Sequence, residues 1–140
     1  MARGMITLDT SGALAFVNRR DPEHRPVKRV LERDPGPLVL PCGVLAEITY
    51  LIGARLADRA LDLFLRDIEE GAFTLDCGEG DLPRIRELIT RYASLPLGFA
   101  DACVIACAER SGGRVLTLDR RDFGVVAREG HITLEPPLRP

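Results

Sequence analysis

The sequence lacks any long hydrophobic run. No apolar stretch in its 140 residues approaches the ~20 residues that a membrane-spanning helix needs. Residues 1–9 contain neither the apolar region nor the small-residue cleavage site of a signal peptide. We therefore expect a cytoplasmic protein that makes no membrane contact. Repeats, linkers and low-complexity stretches are also missing, which predicts one domain over residues 1–140.

A surplus of positive charge is also missing. The chain has 19 Lys and Arg against 21 Asp and Glu, which gives a net charge of −2, and Lys28 is its only lysine. Modules that bind nucleic acid passively usually carry a basic surplus, so this balance counts against that class. It does not count against a metal-dependent nuclease, because the acidic ligands of such an enzyme lower its net charge.

Motifs for zinc and for disulfides are scarce. No CxxC occurs, and the two histidines lie far from the cysteines in sequence. Cys103 and Cys107 are four residues apart, a spacing at which one helix could present both thiols to a zinc ion. We instead interpret the four cysteines as small buried thiols of a reducing compartment.

What the chain does contain is an alternation of short apolar runs with helical patterns. The strand-like runs are 5–9, 38–41, 73–75, 114–119 and 132–135. The helical patterns cover 10–19, 21–33, 43–56, 57–71, 81–95 and 98–111. This alternation predicts an α/β domain with a mainly parallel sheet covered by helices. The expected N-cap of the first helix is Thr10 or Ser11.

Two of the predicted strands end in the same three residues. MITLD ends at Asp9 and VLTLD ends at Asp119. Sites in open parallel sheets form outside the carboxyl ends of the strands, so the two carboxylates converge if these strands are neighbours. The alternative is that each aspartate only caps the helix or turn that follows its strand.

Two further acids interrupt apolar helical patterns. Glu47 lies in VLAEITYLI, residues 44–52, which offers little polar surface, and Asp101 shares one helical face with Val104 and Ile105. A carboxylate removed from water costs several kcal/mol unless it is compensated. We expect compensation by a metal ion, with stabilisation of a first-turn Asp101 by the helix dipole as the alternative.

Together these patterns predict four carboxylates in places where isolated charges are costly: Asp9, Glu47, Asp101 and Asp119. Clustered without a cation, they would repel one another and take up protons. Mg²⁺ and Mn²⁺ prefer oxygen ligands and can activate water for attack on a phosphodiester. The acids therefore indicate phosphodiester hydrolysis.

The stretches LDTSGALAF, AEITYLI, LGFADACVIACAE and RVLTLDRRDF, in this order and spacing, resemble the PIN domain family. The likeness is greatest to the VapC-type toxins of toxin–antitoxin pairs. It implies a three-layer α/β/α sandwich and a Mg²⁺- or Mn²⁺-dependent endoribonuclease that leaves a 5′-phosphate and a 3′-hydroxyl. The catalytic and metal-binding positions of the family fall on Asp9, Glu47, Asp101 and Asp119.

The resemblance also implies assisting residues. A hydroxyl beside the first acid would come from Thr10 or Ser11, and Thr117 would lie near the fourth. Asp122 is interpreted as a helix or turn cap, with an extra acidic ligand as the alternative. The arginines that could contact the RNA backbone are Arg120 and Arg121, with Arg19 and Arg20 as further candidates, against the alternative of a solvated surface.

Family members are similar in forming homodimers and in being silenced by an antitoxin. Helices 43–56 and 57–71 would supply the groove for that partner. Two other functions stay open: a PIN-domain nuclease of RNA processing without an antitoxin, and a catalytically inactive binding module. A dehalogenase-like phosphatase is disfavoured because Ser11 stands where it needs a second aspartate, and a receiver domain because Lys28 is misplaced.

Overall fold

The computed structural model of the protein describes residues 5–34 and 36–137. Its strands are β1 (Ile6–Leu8), β2 (Leu38–Pro41), β3 (Thr74–Asp76), β4 (Arg114–Leu116) and β5 (Thr133–Glu135). Its helices are α1 (Thr10–Val17), α2 (His24–Arg33), α3 (Cys42–Arg55), α4 (Asp58–Glu69), α5 (Leu82–Arg91), α6 (Phe99–Arg110) and α7 (Asp122–Arg128). A short 3₁₀ turn precedes α5.

The five strands form one parallel sheet in the order β3-β2-β1-β4-β5. β1 lies at the centre, between β2 and β4. The chain adds β2 and β3 on one side of β1 and then β4 and β5 on the other side. Helices pack over the sheet: α6 contacts β1 and β4, while α3 contacts β2 and packs against α1 and α6. The predicted α/β/α sandwich with a parallel sheet is confirmed.

The centre of the sheet is buried on all sides. Ile6 and Leu8 of β1 and Leu116 of β4 have no exposed surface, and α6 covers them with an apolar face that includes Val104 and Ile105. Burying a side chain of this size stabilises the fold by about 1.5–3 kcal/mol each. The residues that directly follow β1 and β4 are therefore attached to the rigid, buried centre of the sheet.

Two local predictions were wrong. Asp9, rather than Thr10 or Ser11, is the N-cap residue of α1, and its carboxylate makes no capping hydrogen bond. The carboxylate is engaged elsewhere, as described below. The sequence patterns also give no helix between the last two strands, yet α7 lies there; at 7 residues it is too short to display a helical period.

Helix α3 is less buried than its apolar sequence suggests. Only Val44, Ile48 and Ile52 are buried, which is a single stripe at four-residue spacing. Tyr50 is 73% exposed, although it lies in a largely apolar helix. Leu45 and Leu51 are only partly buried, so part of the apolar surface of α3 is left open in the isolated chain.

The cysteines also differ from their expected environment. Only Cys107 is buried, whereas Cys42 and Cys103 are partly exposed and Cys77 is exposed.

Within residues 5–34 and 36–137, no helix has the length and hydrophobicity required to cross a membrane.

Candidate active site

Asp9 is a buried carboxylate held at the carboxyl end of β1. Its side chain is only 6% exposed, and its backbone N–H donates to the Leu116 carbonyl of β4 at 3.1 Å. Thr117 and Ser11 donate their hydroxyl hydrogens to Asp9 Oδ2 at 2.8 and 3.0 Å. The carboxylate is therefore fixed in position by the start of α1 and by the segment after β4.

The two hydroxyls belong to a larger network. Ser11 Oγ accepts from the backbone N–H of Leu118 at 2.9 Å, and Thr117 Oγ1 accepts from the backbone N–H of Asp119 at 3.0 Å. The hydroxyls themselves are 3.2 Å apart. Of the predicted assisting residues, Ser11 and Thr117 thus contact Asp9 by their side chains. Thr10 is buried, and its backbone lowers the pKa of the Asp9 carboxyl.

Burial raises the pKa of Asp9 above its ordinary value, and the charge of Asp119 raises it further. Hydrogen bonds from Thr117, Ser11 and the Thr10 backbone oppose this rise because they favour the ionised form. Asp9 and Asp119 therefore interact, as their positions after the neighbouring strands β1 and β4 predict. Asp119 itself lies three residues beyond the last residue of β4 rather than at its end.

Asp101 lies in the first turn of α6 and is half-buried. Burial is the main reason that its pKa is raised to about 6, and repulsion from Asp9, Asp119 and Asp122 adds to the rise. The Gly98 backbone N–H partly offsets the shift by donating a hydrogen bond. Asp101 lies in a first turn, as the helix-dipole interpretation requires. It also interacts with other acids, as the metal-ligand interpretation requires.

Asp122 joins this group although the sequence favoured a capping role for it. It is the first residue of α7, and its backbone N–H points to Asp119 Oδ1 at 3.4 Å, which is a long contact. Its charge still acts on Asp101. This position is compatible with the alternative of an extra acidic ligand, which the sequence left open beside the capping role.

Glu47 does not share the burial of the aspartates. It is exposed on α3, and the expectation that its helix offers it little polar surface was wrong. The carboxylates that contribute most to the raised pKa of Asp101 are Asp9, Asp119 and Asp122. The acidic cluster is therefore an aspartate cluster, and Glu47 lies on a helix that packs against α6.

The two predicted RNA-contacting arginines lie in different environments. The Arg121 side chain is 91% exposed. Burial lowers the pKa of Arg120, while Glu23 and Glu135 act in the opposite direction. Its Nη1 atom is buried and, in the part of the chain that the structure describes, has no hydrogen-bond partner. The Arg121 side chain is thus accessible to a ligand, whereas Arg120 is only partly exposed.

The donor set suits a hard divalent cation. Carboxylate oxygens are the ligands that Mg²⁺ and Mn²⁺ prefer, and repulsion among four neighbouring aspartates is what such a cation would relieve. Among residues 5–34 and 36–137, no three His, Cys, Asp or Glu side chains are close enough together to hold a metal ion as they stand. Binding would therefore require these side chains to move together.

The raised pKa of Asp101 has a consequence for stability without metal. A carboxyl whose pKa is higher in the folded than in the unfolded chain stabilises the fold below the unfolded value, 3.8, and loses that contribution as the pH rises through about 6. Asp101→Asn should therefore raise the free energy of unfolding at pH 7.5 by about 1 kcal/mol, a value discounted for partial exposure.

Urea denaturation in EDTA at pH 4 and pH 7.5 measures this effect. The gain should be present at pH 7.5 and absent at pH 4. Asp62→Asn is the matched control, because Asp62 is exposed on α4 and contacts only the side chain of Arg66 at 3.4 Å. An equal gain at both pH values would contradict the assignment to repulsion and burial.

With this geometry in place, comparison with known proteins gives the family. The PIN domain model matches residues 6–129. The match spans most of the chain, and the protein belongs to the PIN domain family. A curated relative, Ribonuclease VapC26 of Mycobacterium tuberculosis, is 33% identical over 123 residues, which cover 86% of this chain and 91% of the relative.

Solved structures share the same fold. VapC20 of Mycobacterium tuberculosis, described as a sarcin-ricin loop cleaving toxin, superposes with a TM-score of 0.73 at 24% identity, over 86% of this chain and 94% of its own. FitAcB from Neisseria gonorrhoeae has a TM-score of 0.62 at 18% identity, over 93% and 96% of the two chains. The PIN-like architecture implied by the sequence motifs is confirmed.

Proposed function

We propose that the protein is a Mg²⁺- or Mn²⁺-dependent endoribonuclease that acts as the toxin of a toxin–antitoxin pair. The observation that carries this proposal is that the charges of Asp9, Asp101, Asp119 and Asp122 act on one another near the carboxyl ends of β1 and β4. Its membership of the PIN domain family and its similarity to a ribonuclease support the choice of RNA as substrate.

In this proposal Asp9, Asp101 and Asp119 bind the cation, with Asp122 as a further oxygen donor. When bound, the cation neutralises charge on the scissile phosphate and activates water for in-line attack. Thr117 and Ser11 orient the Asp9 carboxylate through their hydroxyl groups. Asp101 would hold the cation as its ionised carboxylate, the form that predominates above its pKa of about 6.

Glu47 and Arg121 complete the proposed site from its exposed side. Glu47 is the fourth acid that the family resemblance implies, and it is exposed on α3, which packs against α6, the helix of Asp101. Arg121 contacts the RNA backbone, because its side chain is 91% exposed and Arg suits phosphate oxygens. Arg120 is not included, because it is only partly exposed and its Nη1 atom is buried.

Cleavage of a mixed cellular RNA pool tests the activity. Purified protein should cleave RNA with Mg²⁺ or Mn²⁺ and lose that activity in EDTA, and the new ends should carry a 5′-phosphate. A 2′,3′-cyclic phosphate at the cleavage site, or equal cleavage in EDTA, would contradict the proposed chemistry. Binding of Mn²⁺ without cleavage of any RNA would favour the inactive binding module.

The proposed antitoxin site is a groove of about 820 Å³ beside α4. Its walls include Phe16 and Phe73 and the exposed Leu63 of α4. Phe73 is already buried, whereas an amphipathic helix of a partner could bury the exposed surface of Leu63 and Phe16. Helix α3 contributes the exposed Tyr50, and we propose that the open apolar surface of α3 supports the implied homodimer.

Two measurements separate these surfaces. Light scattering of the isolated protein should give the mass of a dimer, and Tyr50→Glu should reduce it to that of a monomer. In the RNA assay, a protein encoded beside this one should suppress cleavage, and Leu63→Glu should relieve the suppression without slowing the free enzyme. Suppression that persists in Leu63→Glu would move the antitoxin site away from the groove.

A further inference from the structure

Two thiols meet at the edge of the sheet away from the aspartate cluster. β2 and β3 are parallel neighbours, with Pro41 opposite Asp76 at their carboxyl ends. The next residue on each strand is a cysteine, so the register brings Cys42 and Cys77 side by side. Their Sγ atoms are 3.6 Å apart. This proximity is a property of the sheet register, not of a loosely placed loop.

The segment that carries Cys77 is held by ion pairs of residues that precede and follow it. The guanidinium group of Arg110 donates to Asp76 Oδ1 at 2.8 Å and to Asp81 Oδ2 at 2.7 Å. Gly78, which follows Cys77, has a φ of +63°, a left-handed conformation that suits glycine. The sharp turn and the two ion pairs hold Cys77 against the start of α3.

The two sulfurs differ in access. Cys77 is exposed and Cys42 is partly exposed. Burial is the main cause that raises the pKa of the Cys42 thiol, followed by the neighbouring Cys77 and the charge of Asp76. The sulfur that meets an oxidant in solution is therefore Cys77, and Cys42 is placed to react with it in a second step.

We propose that Cys42 and Cys77 form a reversible intramolecular disulfide when the protein meets hydrogen peroxide. The Cys77 thiolate attacks one peroxide oxygen, the O–O bond breaks, and a sulfenic acid and hydroxide form. The Cys42 thiolate then attacks the sulfenic sulfur and displaces a second hydroxide. The two thiol protons convert both hydroxides to water, so two thiols are oxidised as one peroxide is reduced to water.

The bond would join the first residue of α3 to the end of β3. It would also lie beside a cavity of about 210 Å³ lined by Gly43, Phe99 and Cys103. In a reducing compartment, where structural disulfides are rare, such a bond reports oxidising conditions. It would constrain α3, the helix that carries Glu47, until a dithiol reduces it.

Mass spectrometry of the full chain tests the pair without reference to RNA cleavage. After peroxide treatment, unfolding and alkylation, Cys103 and Cys107 should remain alkylatable while Cys42 and Cys77 are protected, with a loss of about 2 Da before alkylation. Tryptic digestion should yield peptide 34–55 linked to peptide 67–84. Dithiothreitol should restore all four alkylation sites.

Variants and melting curves complete the test. Cys42→Ser and Cys77→Ser should each abolish the link, whereas Cys103→Ser, the matched control in the same cavity, should retain it. The oxidised protein should melt roughly 5–15 °C higher than the reduced protein. A link to Cys103, oxidation of Cys77 without a partner, or four free thiols after peroxide treatment would each overturn the proposal.

Discussion

Asp9→Asn should lower metal-dependent RNA cleavage by at least ~100-fold while leaving the fold intact. Asparagine keeps an oxygen that can accept from Thr117 and Ser11, which now donate to Asp9 at 2.8 and 3.0 Å. It removes the negative charge that attracts the cation. It also removes a buried charge from the metal-free protein, so the variant should be at least as stable as the wild type.

Single-turnover cleavage and Mn²⁺ titration by calorimetry measure the two consequences together. Asp101→Asn should behave like Asp9→Asn, and the exposed Asp62→Asn should match the wild type in both measurements. Loss of cleavage with unchanged Mn²⁺ affinity would assign Asp9 to substrate positioning instead of metal binding. Full activity in Asp9→Asn would remove the aspartate cluster from the proposed mechanism.

Glu47→Gln tests whether Glu47 binds the cation. The family resemblance and the exposed position of Glu47 in the structure differ on this point. If Glu47 binds the cation, its loss should weaken Mn²⁺ binding and lower cleavage, as for Asp9→Asn. The family resemblance implies this result, although Glu47 is exposed on α3. Unchanged affinity and activity would restrict the metal site to the aspartates, with Asp122 in the place of the fourth acid.

The convergence of Asp9 with Asp119 was predictable from sequence because it depends on few assumptions. Two apolar runs ending in Thr-Leu-Asp identify strands, and parallel strands place their carboxyl ends at one edge. The remaining assumption, that the strands are neighbours, holds because β1 pairs with β4. The strand boundaries mattered little: Asp119 follows β4 by three residues and still acts on Asp9.

Glu47 shows where this reasoning stops. An apolar sequence predicts burial only if the rest of the fold, or a partner, supplies something to cover it. α3 is covered along one stripe in the isolated chain, so Glu47 and Tyr50 stay exposed. The position of Asp122 depends on α7, whose 7 residues give no periodic signal.

The proximity of Cys42 and Cys77 could not be predicted from the sequence for another reason. Cys42 and Cys77 have no motif spacing, and only the pairing of Pro41 with Asp76 brings them together. Register between strands is set by contacts that a single sequence does not display. The same limit applies to Gly12 of α1, because its role depends on the neighbouring backbone of Leu116 in β4.

Gly12→Ala should lower the free energy of unfolding by about 3 kcal/mol, the upper part of the range for overpacked sites. A Cβ at Gly12 would lie 2.2 Å from the Leu116 carbonyl oxygen and 2.7 Å from its carbonyl carbon. Both are backbone atoms of β4, so rotation of a side chain cannot relieve the clash. α1 would have to move away from the sheet.

That movement would also disturb the site. The Leu116 carbonyl accepts from the backbone N–H of Asp9, and the next residue, Thr117, donates to the Asp9 carboxylate. Urea denaturation and RNA cleavage should therefore decline together in Gly12→Ala. Gly53→Ala is the matched control: its Cβ would meet nothing closer than 3.9 Å on exposed α3, and a helix-interior Gly→Ala change should stabilise by about 0.5–1 kcal/mol. Equal stability of the two variants would show that α1 and β4 can separate without cost, which is incompatible with a site fixed by their contact.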